Sequence, residues 1–554
     1  MYKILLLILA CISYASVAQS RKRCKFGDAC WPTEETWNTF NNSISGRLVR
    51  TLPSAAVCHA QNYNATGCDT ARAQWDNSFW RTNQTGAYTA IVWELGNQQC
   101  FVNSSRSAPC QPGLVPHYSV AATSVADIQA AVKFAAEKDL YLVVKNTGHD
   151  HLGRSSGPGA FSIWTHNLKG RQWTDSYVVE GAPKGTKGVP AVTLQSGEQW
   201  LDVYLAAAQQ RVIVVGGHAR TVGAAGGWLT GGGHSAWSNK YGLGVDNVLE
   251  VNLVDARGKH LTINQYTDPD YFWALRGGGG SAWGVITSVT YRTYPEPGHI
   301  QVAALQINAT SNSTLRPVLK ASLAGLVNMT DAGYTGYGYF SNGFSALFVR
   351  PNGTEEDLLK GSVAFRELGE LEGTSFFMFN LSFPSWIAYC DMFLQDPNIA
   401  QNVMDSSRLL TTDMALHKAD AIIDMMLEFG PEHYPGFNFI GKVNSARRNE
   451  TSVHPTWRDS RAVMSFGTDW EDDAPEAEKQ QKRLQLVEMS KRWATIAGPE
   501  GGSYINEANP FEPNWEQVFW GSNYDRLVKI KKARDPTNLF VCNRCVGTDM
   551  VYEP

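Results

Sequence analysis

The chain has 554 residues, 43% of them hydrophobic and 18% charged, so it is long enough for two to four domains with ample core. Its formal net charge is −4 and no block of like charge occurs, which excludes the basic patches that bind nucleic acids or anionic membranes. We therefore expect no nucleic-acid and no membrane partner. We also predict a monomer that acts on a small molecule.

Residues 1–18 predict a secretory signal peptide. Lys3 precedes an apolar core, and Ser16, Val17 and Ala18 supply the small residues of a cleavage site. A membrane anchor is the alternative, but the apolar run is short for a bilayer span. Export also fits the many Asn-x-Ser/Thr glycosylation sites, which spare the stretch between Asn103 and Asn308. The sites are Asn41, Asn64, Asn83, Asn103, Asn308, Asn312, Asn328, Asn352, Asn380 and Asn449. We predict a secreted glycoprotein.

The cysteines of an exported chain are expected to form disulfides, because they meet an oxidising environment. Cysteines that are close in sequence can pair as Cys24–Cys30, Cys58–Cys68 and Cys100–Cys110, although Cys542 or Cys545 could reach the N-terminal segment instead. Cys11 lies in the signal peptide, and the isolated Cys390 is expected to stay free. Cys542 and Cys545 are spaced like half of a zinc site, but no second half follows, so we predict no metal.

After a disulfide-rich N-terminal region (19–115), the pattern over 116–297 is typical of an α+β cofactor-binding domain. Ser124 begins a helix with an N-capping signature, and a buried strand follows at 141–145. Further strands are predicted at 161–164, 191–195, 211–215, 248–255 and 284–294, with a helix over 198–210.

Three glycine-rich loops interrupt this domain, each after an apolar or aromatic run. They cover 145–153, 216–235 and 276–281. Glycine allows tight turns that present backbone N–H groups, which suit a phosphate or pyrophosphate. Three such loops within about 140 residues indicate a backbone wrapped around one long ligand.

A second domain is predicted over 298–500, after the Pro- and Gly-rich boundary at 295–298. Strands at 301–307, 344–350 and 376–380 alternate with helices at 315–327, 355–368, 413–428 and 475–496, which indicates a sheet covered by helices. The tail, 501–554, contains many aromatic residues and a helix over 524–532.

The loop around His149, the segments 221–235 and 240–247, and the run 268–279 together resemble the vanillyl-alcohol-oxidase-type flavoproteins. The berberine-bridge-enzyme-like branch is the most similar, including secreted fungal oxidases of the isoamyl alcohol oxidase type. The resemblance covers about 116–297 and returns in the tail. It implies a two-domain α+β fold of the PCMH/VAO type that holds FAD, with a sheet-plus-helices substrate domain over the flavin and a tail that returns to the FAD domain.

The resemblance also implies the residues that hold FAD. His149 corresponds to the histidine that is joined covalently to the flavin ring. Around it, the predicted FAD-binding residues are Lys145, Asn146, Thr147, Gly148, Asp150, Thr221, Val222, Gly223, Gly226, Gly227, Asn523 and Tyr524. Many relatives attach the flavin a second time through a cysteine, where this chain has Ala219. Because alanine cannot form a thioether, we predict FAD linked through His149 only.

A flavin oxidase also needs a base near the substrate O–H or N–H group. Tyr504 lies where the family places a residue over the flavin, but a tyrosinate needs a lowered pKa. Glu507 is the second candidate. His218 and His234 could contact flavin or substrate, and Trp457, Trp515 and Trp520 could line an aromatic pocket.

We therefore predict an FAD-dependent oxidoreductase that passes a hydride from an alcohol or another activated C–H group to the flavin, with dioxygen as acceptor. The substrate could be a simple alcohol, a sugar or a secondary metabolite. One alternative is a secreted glycoside hydrolase, but it does not explain the glycine-rich loops and needs a carboxylate pair that the sequence does not reveal. The other is a non-catalytic carbohydrate-binding protein with an inactive form of the fold, which the missing second attachment at Ala219 permits. A nicotinamide-binding Rossmann fold is disfavoured, because no Gly-x-Gly-x-x-Gly opens a helix with an acidic residue about 20 positions on.

Overall fold

The computed structural model describes residues 23–443, 447–548 and 550–553, and gives no side-chain description for Asn312. The predicted signal peptide lies outside the described residues. Apart from Asn312, the asparagines of the predicted glycosylation sites have exposed or half-buried side chains. No described helix is both long and apolar enough to cross a bilayer.

A four-stranded sheet begins the cofactor-binding domain. Its strand order is Leu48–Arg50, Tyr118–Ala121, Phe161–Trp164 and Leu142–Lys145. The last three strands run parallel, and the first is antiparallel to its neighbour. Helix Val125–Glu137 starts with the predicted capping box of Ser124 and Asp127 and buries Ile128, Ala131 and Val132. The predicted helix and strands of this unit are confirmed, whereas the strand at Leu48–Arg50 was not predicted.

A six-stranded antiparallel sheet completes this domain. Four of its strands match predictions, and Arg171–Tyr177 and His260–Ile263 were missed. The order is Arg171–Tyr177, Val189–Gln195, Val285–Pro295, Val248–Val254 and His260–Ile263, with Val212–Val214 paired to Val285–Pro295. Helix Trp200–Gln209 precedes Val212–Val214 as expected, and the short helices are Gly227–Thr230, Ser238–Tyr241 and Pro269–Leu275.

The N-terminal region is held by local disulfides and contributes a strand to the first sheet. Cys24–Cys30, Cys58–Cys68 and Cys100–Cys110 are bonded, which is the local pairing among the alternatives that the sequence left open. Cys542 bonds to Cys545 and so does not reach this region, and Cys390 is the free cysteine of the described chain. The helices here are Glu34–Ser43, Ala65–Ala73, Ser78–Thr82 and Val92–Leu95.

The second domain is a seven-stranded antiparallel sheet with helices on one face. Its order is Thr374–Phe383, Ile300–Ala309, Gly343–Pro351, Thr335–Phe340, Gly436–Phe439, Ser460–Trp470 and Asn402–Thr411. The helices are Asn312–Asp331, Glu355–Gly361, Val363–Gly369, Thr412–His417, Ala419–Phe429 and Glu476–Ala497. The sequence predicted the helical cover correctly but found only three of the seven strands. The opposite face of the sheet turns toward the cofactor-binding domain.

The tail returns to the cofactor-binding domain through helices Trp515–Trp520 and Tyr524–Arg534. The buried Lys531 ammonium donates to the carbonyl oxygens of Ala282 and Phe540, each at 2.7 Å. The Sγ atoms of Cys542 and Cys545 lie 3.6 Å from the Gly280 carbonyl oxygen. These contacts hold the third glycine-rich loop in place.

Candidate active site

The three glycine-rich loops meet at one cavity of about 580 Å³ between the two domains. The first loop contributes 146–151, the second contributes 217–219, 222–223 and 225–227, and the third contributes 279–281. The substrate-domain sheet closes the other side with Tyr337, Val403, Asp405, Asn438 and Ser465, and the tail adds Tyr504, Asn506 and Glu507. The loops therefore converge as the sequence predicts.

The first loop is shaped by its glycine and by the N-terminal region that covers it. Gly148 has a φ of +89°, and a Cβ there would lie 3.0 Å from the Ala87 carbonyl oxygen. The Thr89 amide donates to the Gly148 carbonyl oxygen at 2.9 Å. A larger residue at Gly148 would face both backbone strain and this neighbour.

The His149 imidazole lines the cavity, and its Nε2 is 2.7 Å from the Thr221 hydroxyl oxygen. Burial lowers the pKa of His149 to about 4, although the charge of Asp396 opposes this shift. The ring is therefore neutral near pH 7. If Nε2–H donates to Thr221, the lone pair of Nδ1 is left free.

A carboxylate stands on the substrate-domain side of the cavity. The Glu507 Oε1 lies 3.2 Å from the His234 Nε2, and the Asn438 amide donates to Oε2 at 3.2 Å. Burial favours the neutral acid, but His234 and His151 outweigh burial and hold the pKa of Glu507 below its usual value. Glu507 is thus ionised and can accept a proton.

A second acid–base pair is formed by His151 and Asp405, with Nδ1 and Oδ2 2.6 Å apart. Burial disfavours the charged ring, but the hydrogen bond and charge of Asp405, with Glu507 and Asp150, raise the pKa of His151 to about 9. His151 therefore carries a positive charge near pH 7 and stabilises the Glu507 carboxylate.

Tyr504 does not meet the requirement for a tyrosinate base. Its hydroxyl accepts a hydrogen bond from the Asn506 amide at 2.9 Å. Burial, together with the negative charge of Glu507, raises the pKa of Tyr504 well above its usual value. The phenol therefore stays neutral, and Glu507 is the better candidate for the base.

Some predicted residues lie elsewhere. The Lys145 ammonium turns away from the cavity and donates to the Gln84 and Thr85 carbonyl oxygens at 2.7 and 2.9 Å. Asn523 donates to the Val453 carbonyl oxygen, and Tyr524 stacks on Trp520. Lys145, Asn523 and Tyr524 are therefore not cavity-lining residues, and Thr221 does not line the cavity either but contacts the His149 imidazole. Trp457, Trp515 and Trp520 are buried in the core instead of lining the cavity.

Other predicted residues do line the cavity. Asp150 accepts from the Ser155 amide at 3.1 Å and shapes the first loop. The His218 ring lies 4.2 Å from the Tyr337 ring, and burial lowers the pKa of His218 to about 4. Sequence reasoning missed His151, Arg154 and Asn506. It also missed the residues of the substrate-domain sheet that line the cavity, called the sheet wall below: Tyr337, Val403, Asp405, Asn438 and Ser465. The sequence offers one signal for Asp405, Asn438 and Ser465, which is that each is a polar residue on one side of a strand.

Comparison with known proteins identifies the ligand that this cavity holds. Residues 116–264 match the FAD binding domain family, and residues 503–546 match the berberine and berberine-like family. An uncharacterized FAD-linked oxidoreductase of Arthroderma benhamiae is 55% identical, with 99% of each chain covered. The FAD-linked oxidoreductase patO of Aspergillus clavatus is 33% identical over 95% of this chain and 92% of its own. This chain belongs to the berberine-bridge-enzyme-like FAD-linked oxidoreductases.

Solved structures agree with this assignment. The VAO-type flavoprotein MtVAO615 of Myceliophthora thermophila C1 is 30% identical and superimposes with a TM-score of 0.85, covering 95% of this oxidoreductase and 97% of that chain. The predicted family, the two-domain fold and the class of enzyme are therefore confirmed. The glycoside hydrolase and the carbohydrate-binding protein considered as alternatives are set aside.

The residues around the cavity fit FAD. A Cβ on Gly227 would meet no described atom within 4 Å, so this glycine leaves open space on the cavity wall. The Asn146 Oδ1 and the Arg154 Nη1 are buried without a hydrogen-bond partner among the described residues. A bound dinucleotide supplies polar groups that such atoms require. Asn146, Gly148, Gly223, Gly226 and Gly227 would hold it, and His149 lines the same cavity.

A side chain that fills the open space beside Gly227 should weaken FAD binding without unfolding the chain. We expect Gly227→Leu to weaken FAD binding at least about tenfold, because overpacking costs about 1–3 kcal/mol and 1.4 kcal/mol is tenfold in affinity. The measurement is the ratio of flavin to protein absorbance, with circular dichroism as a test of folding. Gly298→Leu is a control for the added side chain, since Gly298 is exposed, has its nearest neighbour, the Asn352 Oδ1, 3.6 Å from the added Cβ, and does not line the cavity. Normal flavin content in Gly227→Leu would show that this glycine does not border FAD.

Proposed function

We propose that this FAD-linked oxidoreductase is secreted and oxidises an alcohol or a related activated C–H group, using an FAD attached through His149 alone and dioxygen as acceptor. The observation that carries the proposal is the ionised Glu507, held by His234 and Asn438 on the cavity wall that faces the FAD cradle. A carboxylate in this position can take the proton of a substrate hydroxyl.

Attachment through His149 is supported by the hydrogen bond that its ring makes. The contact between Nε2 and the Thr221 hydroxyl leaves Nδ1 as the nitrogen that can bond to the flavin ring. Ala219 lines the same cavity and has no thiol, so a second attachment at that position is impossible. The proposed link is therefore single.

The side chains on the sheet wall prepare the substrate for oxidation. FAD, when bound, supplies the acceptor for a hydride from the substrate carbon. The Glu507 carboxylate accepts the hydroxyl proton, and its hydrogen bonds with His234 and Asn438 orient its oxygens. The imidazolium of His151, held by Asp405, keeps Glu507 ionised before the substrate arrives. Val403 and Tyr337 line the cavity on the same side.

Secretion is supported by the predicted signal peptide, the glycosylation sites and the four disulfides. Outside the cell the enzyme meets dioxygen and not the nicotinamide pool, so dioxygen is the acceptor that we propose. We also propose that the enzyme is a monomer, which size-exclusion chromatography with light scattering tests directly.

The proposal is tested with a panel of primary alcohols, sugars and phenols. An anaerobic mixture with the correct substrate should bleach the flavin absorbance, and air should restore the colour with one peroxide per turnover. Bleaching that air does not reverse would exclude dioxygen as the acceptor. An enzyme that is bleached by chemical reductants but by no member of the panel would contradict oxidation of these substrate classes.

A further inference from the structure

A loop of the substrate domain crosses over to the histidine end of the cavity. It covers residues 394–401, between helix Trp386–Phe393 and strand Asn402–Thr411. Gln395, Pro397 and Asn398 line the cavity. The Ala400 amide donates to the Thr89 carbonyl oxygen at 2.8 Å, and the Ile91 amide donates to the Gln401 carbonyl oxygen at 3.0 Å. The loop is thus fixed to the N-terminal region beside the first glycine-rich loop.

Asp396 connects this loop to the second glycine-rich loop. Its Oδ1 accepts a hydrogen bond from the Thr221 amide at 3.1 Å, and its Oδ2 accepts from the Ser78 hydroxyl at 2.7 Å. The hydroxyl of the same Thr221 contacts the His149 Nε2 at 2.7 Å. One carboxylate therefore fixes the residue that orients the His149 ring.

The charge of Asp396 also acts on the ring itself. Burial and the positive charge of His151 both disfavour positive charge on His149, and Asp396 is the carboxylate that opposes them. Bond formation at Nδ1 places positive charge on the imidazole, so a nearby carboxylate stabilises the ring as the bond forms. A more basic imidazole is also a stronger nucleophile.

We propose that Asp396 is a positioning residue for the attachment of the flavin to His149, acting by its hydrogen bond to the Thr221 amide and by its negative charge. This inference rests on the covalent link of the proposed function. It gives the loop 394–401 a role in flavin attachment, and hydride transfer from the substrate does not require this role.

The attachment balances with dioxygen as the oxidant. One C–H bond of a methyl group on the flavin ring and the N–H bond of the His149 imidazole break. A bond forms between the His149 Nδ1 and the methyl carbon. The two hydrogens, with their electrons, pass to dioxygen and give one hydrogen peroxide. In this step Thr221 holds the Nε2–H group, and Asp396 offsets the positive charge that develops on the ring.

The test is the rate of attachment, which does not depend on turnover. The full-length chain is produced in a flavin-depleted host and given FAD in air, and acid-stable flavin is followed by fluorescence in denaturing gels. Asp396→Asn keeps an oxygen for the Thr221 amide but removes the charge. We expect it to attach flavin at least about tenfold more slowly than the wild type, the factor that corresponds to one pKa unit. Asp396→Glu should recover part of the rate, although its shape fits less well.

Asp391→Asn is the matched control, because Asp391 is an exposed aspartate on the preceding helix, and it should attach flavin like the wild type. Thr221→Val provides a second variant, which loses the hydroxyl at Nε2 and should also be slow. Attachment by Asp396→Asn at the rate of the wild type would overturn the inference. A wild type whose flavin is entirely released by acid would instead overturn the proposed link, and the role of Asp396 with it.

Discussion

Replacing Glu507 by glutamine is expected to slow flavin reduction by the substrate on the order of a thousandfold while FAD stays bound, because a positioned base contributes about 10²–10⁴. Glutamine keeps the size of the side chain and can still accept a hydrogen bond from His234. It cannot take the substrate proton. Stopped-flow absorbance under anaerobic conditions measures this step separately from reoxidation by air.

The pH dependence of flavin reduction should follow the ionisation of the Glu507 carboxylate. His234 and His151 hold the pKa of Glu507 below its usual value, so the base is ionised at neutral pH and is lost only as the pH falls through that lowered pKa. The rate of flavin reduction in the wild type should therefore stay constant through neutral pH and fall in acid. In Glu507→Gln this acid limb should disappear together with the rate.

Glu500→Gln is a suitable control, because Glu500 is an exposed carboxylate nearby in sequence that does not line the cavity. It should reduce flavin at the rate of the wild type. If Glu507→Gln also reduced flavin normally, the proton would have to leave to another group, and Asp405 and Asp150 are the other carboxylates that line the cavity.

The glycine-rich part of the site could be predicted because its signal is local. Gly148 takes a positive φ, Gly223 allows the close approach of the Asn146 side chain, and Gly227 leaves open space. Clustered glycines that meet such needs are visible in the order of residues along the chain. The position of His149 within such a loop and the buried strand before it are equally local. The convergence of the three loops follows from the sheets that carry them.

The sheet wall could not be predicted because it depends on distant strand pairing. Asp405, Asn438 and Ser465 belong to strands Asn402–Thr411, Gly436–Phe439 and Ser460–Trp470, none of which was recognised. Their side chains share a face only because of the register of the sheet, in which Asn438 pairs with Val463 and Asp405 with Gly467. The sequence near these residues does not indicate which face of the substrate-domain sheet will meet the cofactor.

Protonation states were also beyond the sequence. Tyr504 was a plausible base as long as its surroundings were unknown, but burial beside Glu507 keeps its phenol neutral. Lys145 was assigned to FAD by its neighbours in the loop, yet it is the last residue of a strand and its side chain points away from the cavity. Charge and side-chain direction are properties of the packed molecule.

Replacing His149 by alanine should convert an acid-stable flavin into one that acid releases completely. Alanine cannot bond to the flavin ring, whereas the glycine cradle around Asn146 and Gly227 is unchanged, so the variant should still bind FAD. The measurement is the flavin that stays in the protein pellet after acid precipitation. His260→Ala, which removes a histidine on a distant strand edge, should keep its flavin in the pellet.

The same variant should also be slower in turnover, since attachment through His149 fixes the ring against the sheet wall and makes it a better hydride acceptor. A loss of about 1.4 kcal/mol in this stabilisation corresponds to a tenfold lower rate, and we expect at least that effect. The rate is measured as flavin reduction at saturating substrate with FAD fully loaded, so that weaker binding does not contribute. Acid-stable colour in His149→Ala would place the covalent bond on another residue. A fully releasable flavin with an unchanged rate would confine the role of His149 to retaining the cofactor.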